Sequence, residues 1–127
     1  VTASSLDPPT TELVSVAVSG SGPVVRVTAS GEVDSTSAPV LRRALEAQLD
    51  GEVRELTVDL GQVTFLDSAG LCVLAAAHRR AVRQDVAMRV LASSRAVIRP
   101  LQITGLWDLL HAERIDGSAL PEQQGVA

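Results

Sequence analysis

Two kinds of apolar spacing alternate along this chain, and their order restricts the fold more than any other feature. From Leu13 to Val18 and again from Val24 to Ser30, apolar residues recur at every second position with a β-branched bias, the mark of half-buried strands. Ser19-Gly20-Ser21-Gly22-Pro23 separates them, a turn cluster that makes the two strands a hairpin. Val40, Leu41, Ala44, Leu45 and Leu49 then follow a helical period, opened by the cap-forming Ser35, Thr36 and Ser37 and stopped at Asp50-Gly51. Pro39 is tolerated because it falls in the first turn. A third strand spans 53–60, and a second helix runs from Ser68 to about Gln84. A fourth strand covers 86–92, and a third helix reaches about Thr104, where Gly105 ends it. Pro100 inside that helix predicts a kink or a short helix, because its ring meets the Ala96 carbonyl. Leu106 to Ile115 leaves room for one more short strand.

The order is therefore β-β-α-β-α-β-α. Strand-helix-strand crossovers imply parallel strands, with the first strand antiparallel at one edge. The predicted fold is α/β: a four- or five-stranded mixed sheet with helices packed mainly on one face. Residues 1–11 read as a tail rich in Ser, Thr, Asp and Pro, 12–117 as the domain, and 118–127 as a loose C-terminal tail.

Composition narrows the function. The chain has 127 residues, of which 46% are hydrophobic and 20% charged, values suited to one folded domain rather than a disordered segment. No apolar run reaches the roughly 18 to 20 residues that span a bilayer, and no secretory leader pattern opens the chain. Cytoplasmic localisation is expected. Net charge is −4, and the basic residues, all Arg, are dispersed, which argues against nucleic-acid binding. Phe65 and Trp107 are the only aromatic residues, too few to stack bases. One cysteine and two scattered histidines offer no disulfide framework and no metal-ligand spacing; no metal or cofactor is expected. Lys, Asn and Tyr are absent, which points to a GC-rich genome.

The segment richest in chemistry is Phe65-Leu66-Asp67-Ser68-Ala69-Gly70-Leu71, where the third strand hands over to the second helix. An Asp-Ser pair before an apolar helix is an ordinary cap. It also presents a serine hydroxyl at a helix start, with Gly70 expected to let another molecule approach the backbone. Phosphorylation would add roughly −1.5 to −2 charge there, which the free N–H groups and positive dipole end of the helix would tolerate. A docked partner matched to a hydroxyl would not. A serine hydrolase is disfavoured, because Leu66 stands where a nucleophile elbow needs Gly; no catalytic residue is assigned.

Gly31-Glu32-Val33-Asp34, then Phe65-Leu66-Asp67-Ser68-Ala69-Gly70-Leu71, then Ile103-Thr104-Gly105-Leu106, in that order, resembles the STAS-domain family and, more narrowly, the bacterial anti-sigma factor antagonists. The resemblance covers about residues 12–115. It implies a protein that binds an anti-sigma factor, itself a serine kinase, and so frees a sigma factor. It implies phosphorylation at Ser68 that breaks the complex, and a metal-dependent serine phosphatase that restores it. It makes Asp67 the motif aspartate and puts Asp34 near Ser68. The implied partner-binding residues are Asp34, Ser35, Thr36, Asp67, Ser68, Ala69, Gly70, Leu71 and Cys72. Ala69 stands where many members have a second hydroxyl, leaving Ser68 the only one in the motif. Cys72, four residues beyond Ser68 on the same helix face, is expected to be a small, partly buried residue. The alternative is a non-switching STAS-type docking or small-ligand-binding module in a signalling assembly.

Overall fold

The computed structural model describes residues 13–115; the expected N-terminal tail and the C-terminal tail beyond 117 lie outside them. The elements are β1 (Val14–Ser21), β2 (Val24–Val33), α1 (Ala38–Leu49), β3 (Glu55–Leu66), α2 (Ser68–Arg83), β4 (Ala87–Ala92), α3 (Arg95–Ile103), α4 (Leu106–Leu109) and β5 (Glu113–Arg114). They form one five-stranded sheet in the order β1-β2-β3-β4-β5. β1 pairs antiparallel with β2, and every later neighbour is parallel. This is the mixed sheet that the order of patterns requires.

One face of the sheet carries the core. Val25, Val27, Ala29 and Val33 of β2, Leu56, Val58 and Leu60 of β3, and Met88, Val90 and Ala92 of β4 are buried there. They meet Leu41, Leu45 and Leu49 of α1, Leu74 and Ala81 of α2, and Val97 and Leu101 of α3. The opposite face is polar and open. Arg26 and Asp59 form an ion pair on it at 2.5 Å, and Arg89 reaches Glu113 at 3.2 Å. At the far end of the helical layer, Arg80 of α2 bonds Asp50 at the end of α1, and the Gln84 amide donates to the Leu49 carbonyl. Trp107 packs, partly buried, at the core margin.

Two strands run longer than their alternation predicts. β2 does not break at Gly31 but continues to Val33, and β3 does not stop at Leu60 but continues to Leu66. The reason is two shifts of register between them, at Thr28/Ser30 and at Gly31/Glu32. Each shift inserts an extra residue on β3, as a β-bulge does. Val58, Leu60, Val63 and Leu66 consequently face the same buried side, although their spacing is not a strict period of two. Gly31 sits at φ +104°, and a Cβ there would collide with the Leu13 carbonyl, so glycine is required for the ladder to pass that point.

The C-terminal part of the domain follows expectation more closely. Ser94 caps α3 by accepting from the Ala96 N–H at 3.1 Å, and the helix is short, with Pro100 inside it. Gly105, at φ +81°, separates α3 from α4. β5 is the short last strand, and the Ile115 N–H donates to the Ala92 carbonyl at 2.7 Å.

Candidate functional site

The extended ends of β2 and β3 bring two loops together. Val33 pairs with Leu66, and the next residue, Asp67, donates its N–H to the Val33 carbonyl at 3.2 Å. The chain thus leaves both strands side by side, into α1 through Asp34 and into α2 through Asp67. Carboxyl ends of parallel strands are where open α/β sheets present their binding surfaces.

Asp34 organises the first loop. Its Oδ1 accepts from the Thr36 N–H at 2.9 Å, the Thr36 hydroxyl at 2.7 Å and the Ser37 N–H at 3.1 Å. The Thr36 hydroxyl is the main cause of a carboxyl held below its ordinary value of 3.8; partial desolvation opposes this, and the Ser37 and Thr36 N–H groups reinforce it. Ser37, at the N-cap position of α1, is fully buried and does not bond the helix amides. Its hydroxyl donates to the Glu32 carbonyl at 2.7 Å and accepts from the Asp34 N–H at 2.9 Å. Of the three expected caps, then, Ser37 holds the loop shut, while Ser35 and Thr36 stand exposed.

Asp67 organises the second. It is the N-cap of α2, and its Oδ1 accepts from the Ala69 N–H at 2.9 Å and the Gly70 N–H at 3.3 Å. Ser68 is the first residue of the helix and is exposed, and no hydrogen bond within the described residues engages its hydroxyl. Two of the N–H groups expected to be free at this helix start are instead taken by Asp67, so an anion on Ser68 would meet a neighbouring carboxylate.

Gly70 is buried, and a Cβ on it would come within 3.0 Å of Leu66 and Val33 side chains. Its missing side chain lets α2 close onto the strand ends. Ala69 and Leu71 are half-buried and pack against the core margin. Cys72 is exposed, not partly buried as expected, and stands one turn beyond Ser68. The surface that gathers here comprises Ser35, Thr36, Ser68 and Cys72, with the half-buried Asp34, Asp67, Ala69 and Leu71 between them.

Phe65, at the end of β3, was assigned no role from the sequence; it alternates with the buried Leu66, so its side chain lies on the open face of the sheet. It lies beside Glu32 in the ladder, two residues before Asp67, and is 45% exposed. Its signal was its rarity, one of two aromatic residues in the chain. The histidines lie elsewhere. His78 is ten residues along α2 from Ser68, about 15 Å by helical rise. Burial, then the nearby His111, then Arg79 lower its pKa from 6.5. Neither can serve as a base for Ser68. Among the described residues no His/Cys/Asp/Glu group could hold a metal ion, and no helix is long and apolar enough to cross a membrane.

The profile of the STAS domain matches residues 15–117. An anti-sigma-B factor antagonist of Bacillus subtilis is 34% identical over 86 residues, covering 68% of this chain and 78% of that protein. One of Listeria monocytogenes is 31% identical over 88 residues, covering 69% and 77%. Among solved structures, an anti-sigma factor antagonist from Mycobacterium paratuberculosis superposes with a TM-score of 0.74 at 29% identity, covering 89% of this chain and 92% of that one. The matched span takes in both site loops and every strand of the sheet but the first residue of β1. By profile, relatives and fold together, the chain belongs to the STAS-domain family.

Proposed function

We propose that this chain is an anti-sigma factor antagonist whose docking surface is the joined Asp34 and Asp67 loops, and that phosphorylation of Ser68 releases its partner. The partner is an anti-sigma factor that is also a serine kinase. A serine phosphatase acting on phospho-Ser68 resets the switch. The role is regulatory, and the protein acts by occupancy of a surface rather than by chemistry of its own.

The observation that carries this reading is Ser68 itself: an exposed hydroxyl on the first residue of α2, without a hydrogen-bond partner among the described residues, on a surface rimmed by Asp34, Thr36 and Cys72. A residue needed only as a cap would have its oxygen on the helix amides. Here Asp67 does that work. A phosphate on Ser68 would project outward beside a carboxylate, so its charge would fall on the docked surface. A loss of about 3 kcal/mol would weaken the complex by more than about a hundredfold.

The test is an affinity pull-down from host lysate with wild type, Ser68→Ala and Ser68→Glu, followed by titration against the retained protein. Wild type and Ser68→Ala should retain a kinase-type anti-sigma factor, and Ser68→Glu should lose it by two orders of magnitude. Equal retention by all three would reduce Ser68 to a surface residue and leave a constitutive docking module.

A further inference from the structure

The first half of β4 borders a groove of about 660 Å³. β5 pairs with β4 only at Leu91 and Ala92, and the groove runs beside the residues that precede them. On the helical side its wall is His78 and Val82 of α2, Val86 and Met88, with His111 from the turn after α4. Where it opens onto the polar face of the sheet, Arg26, Glu55 and Arg89 line it. It lies toward the end of α2 remote from Ser68, so it is separate from the surface of the Asp34 and Asp67 loops.

Two features of this groove are unsatisfied. The Nδ1 of His78 is buried and has no hydrogen-bond partner, whereas buried polar atoms are normally paired. Val82 is a large apolar side chain on the same wall, yet it is 63% exposed. The charges that act on His78 are of one sign. Burial, then His111 from the α4–β5 turn, then Arg79 of its own helix hold its pKa below 6.5, and no carboxylate opposes them. On the sheet side, Arg26 and Arg89 are paired with Asp59 and Glu113, and Glu55 is the one acidic side chain in the lining. A negative charge at Nδ1 would therefore meet a positive field and no close repelling neighbour.

We propose that this groove binds a small carboxylic acid with an apolar body, its carboxylate on His78 Nδ1 and its body over Val82, Val86 and Met88. Pockets of roughly 300 to 1,000 Å³ hold ligands of this kind, with apolar walls and a few placed polar groups. The carboxylate gives Nδ1 the partner it lacks and supplies a counter-charge. His78 takes up one proton on binding and donates it in a charge-assisted hydrogen bond, which favours the imidazolium. A neutral alcohol would cover the apolar wall without that counter-charge. A short anion would bring the charge and leave Val82 exposed. The site does not depend on the role assigned to Ser68.

Octanoate and phenylacetate, titrated into the full chain, are the probes, followed by NMR of the His78 imidazole and the Val82 and Met88 methyl groups. Saturable shifts at all three are expected, with the His78 pKa moving from below 6.5 to above it in the complex. 1-Octanol and acetate, each lacking one half of the ligand, should bind about tenfold more weakly or worse. His78→Phe keeps a ring and removes Nδ1. Val82→Glu, at an exposed position, sets a like charge beside the carboxylate. Each should weaken octanoate by about tenfold or more, with thermal unfolding confirming the fold, and Val82→Glu decides alone where His78→Phe does not fold. Absence of saturable shifts with both probes, equal binding of 1-octanol, a His78 pKa still below 6.5 in the complex, or full affinity in Val82→Glu would each overturn the proposal.

Discussion

Gly70 is small because of what lies behind it. Leu66 and Val33, the last buried residues of β3 and β2, occupy the space a side chain would need. Gly70→Ala gains helix propensity of about 1 kcal/mol, but forcing a methyl into a filled site costs about 1–3 kcal/mol. Net destabilisation is expected in urea denaturation, and a variant more stable than wild type would show that α2 can shift aside. Ser68 and Asp67 were legible as a pair, because Asp-Ser before an apolar run is a recognisable helix start. Which of the two caps was not legible, since either oxygen can reach the amides. Cys72 was misjudged for a related reason: sequence spacing places it on the face of Ser68 but cannot say whether that face is covered.

At the scale of elements, the joint between β2 and α1 is a small hydrogen-bonded unit centred on one carboxylate. Thr36 donates twice to Asp34, through N–H and hydroxyl, and these bonds favour the ionised form. The folded pKa lies below the ordinary carboxyl value of 3.8. Ionised Asp34 therefore contributes stability above pH 3.8, and that contribution is lost as pH falls through the lower folded value. In Thr36→Val the Asp34 pKa should rise toward 3.8, readable by carbon-detected NMR titration, and acid destabilisation of the loop should become shallower. An unchanged titration would mean that the Ser37 contacts suffice alone. The longer strands belong to this scale too. Alternation ends at Leu60 because bulges displace Val63 and Leu66 from a strict period of two, and only pairing with β2 reveals that they still face inward.

For the whole molecule, the decisive arrangement is that two parallel strands end side by side, so that loops more than thirty residues apart form one surface. Phe65 lies next to it at the end of β3, on the open face of the sheet, and is 45% exposed. Aromatic side chains are common anchors of binding energy. Phe65→Ala should leave thermal unfolding nearly unchanged and weaken capture of the anti-sigma partner by roughly tenfold or more, a loss of about 1.4 kcal/mol. Full affinity in that variant would confine the interface to the helix side of the Asp67 loop. The open polar face, with its Arg26–Asp59 and Arg89–Glu113 pairs, lies away from the layer that carries α1 and α2.

The order of elements, the parallel sheet with one antiparallel edge, the helix starts and the serine to examine followed from the amino-acid sequence alone. These are set by local terms: apolar period, cap chemistry, and glycine and proline at the turns. Tertiary structure decided the rest. It ran β2 and β3 on to Val33 and Leu66, turned Gly70 inward, left Cys72 and Phe65 in the open, and set Asp67 rather than a phosphate on the α2 amides. Each of these depends on what residues distant in sequence occupy. A position's burial, or the partner its backbone bonds to, is a property of neighbours that the chain brings together only when it folds.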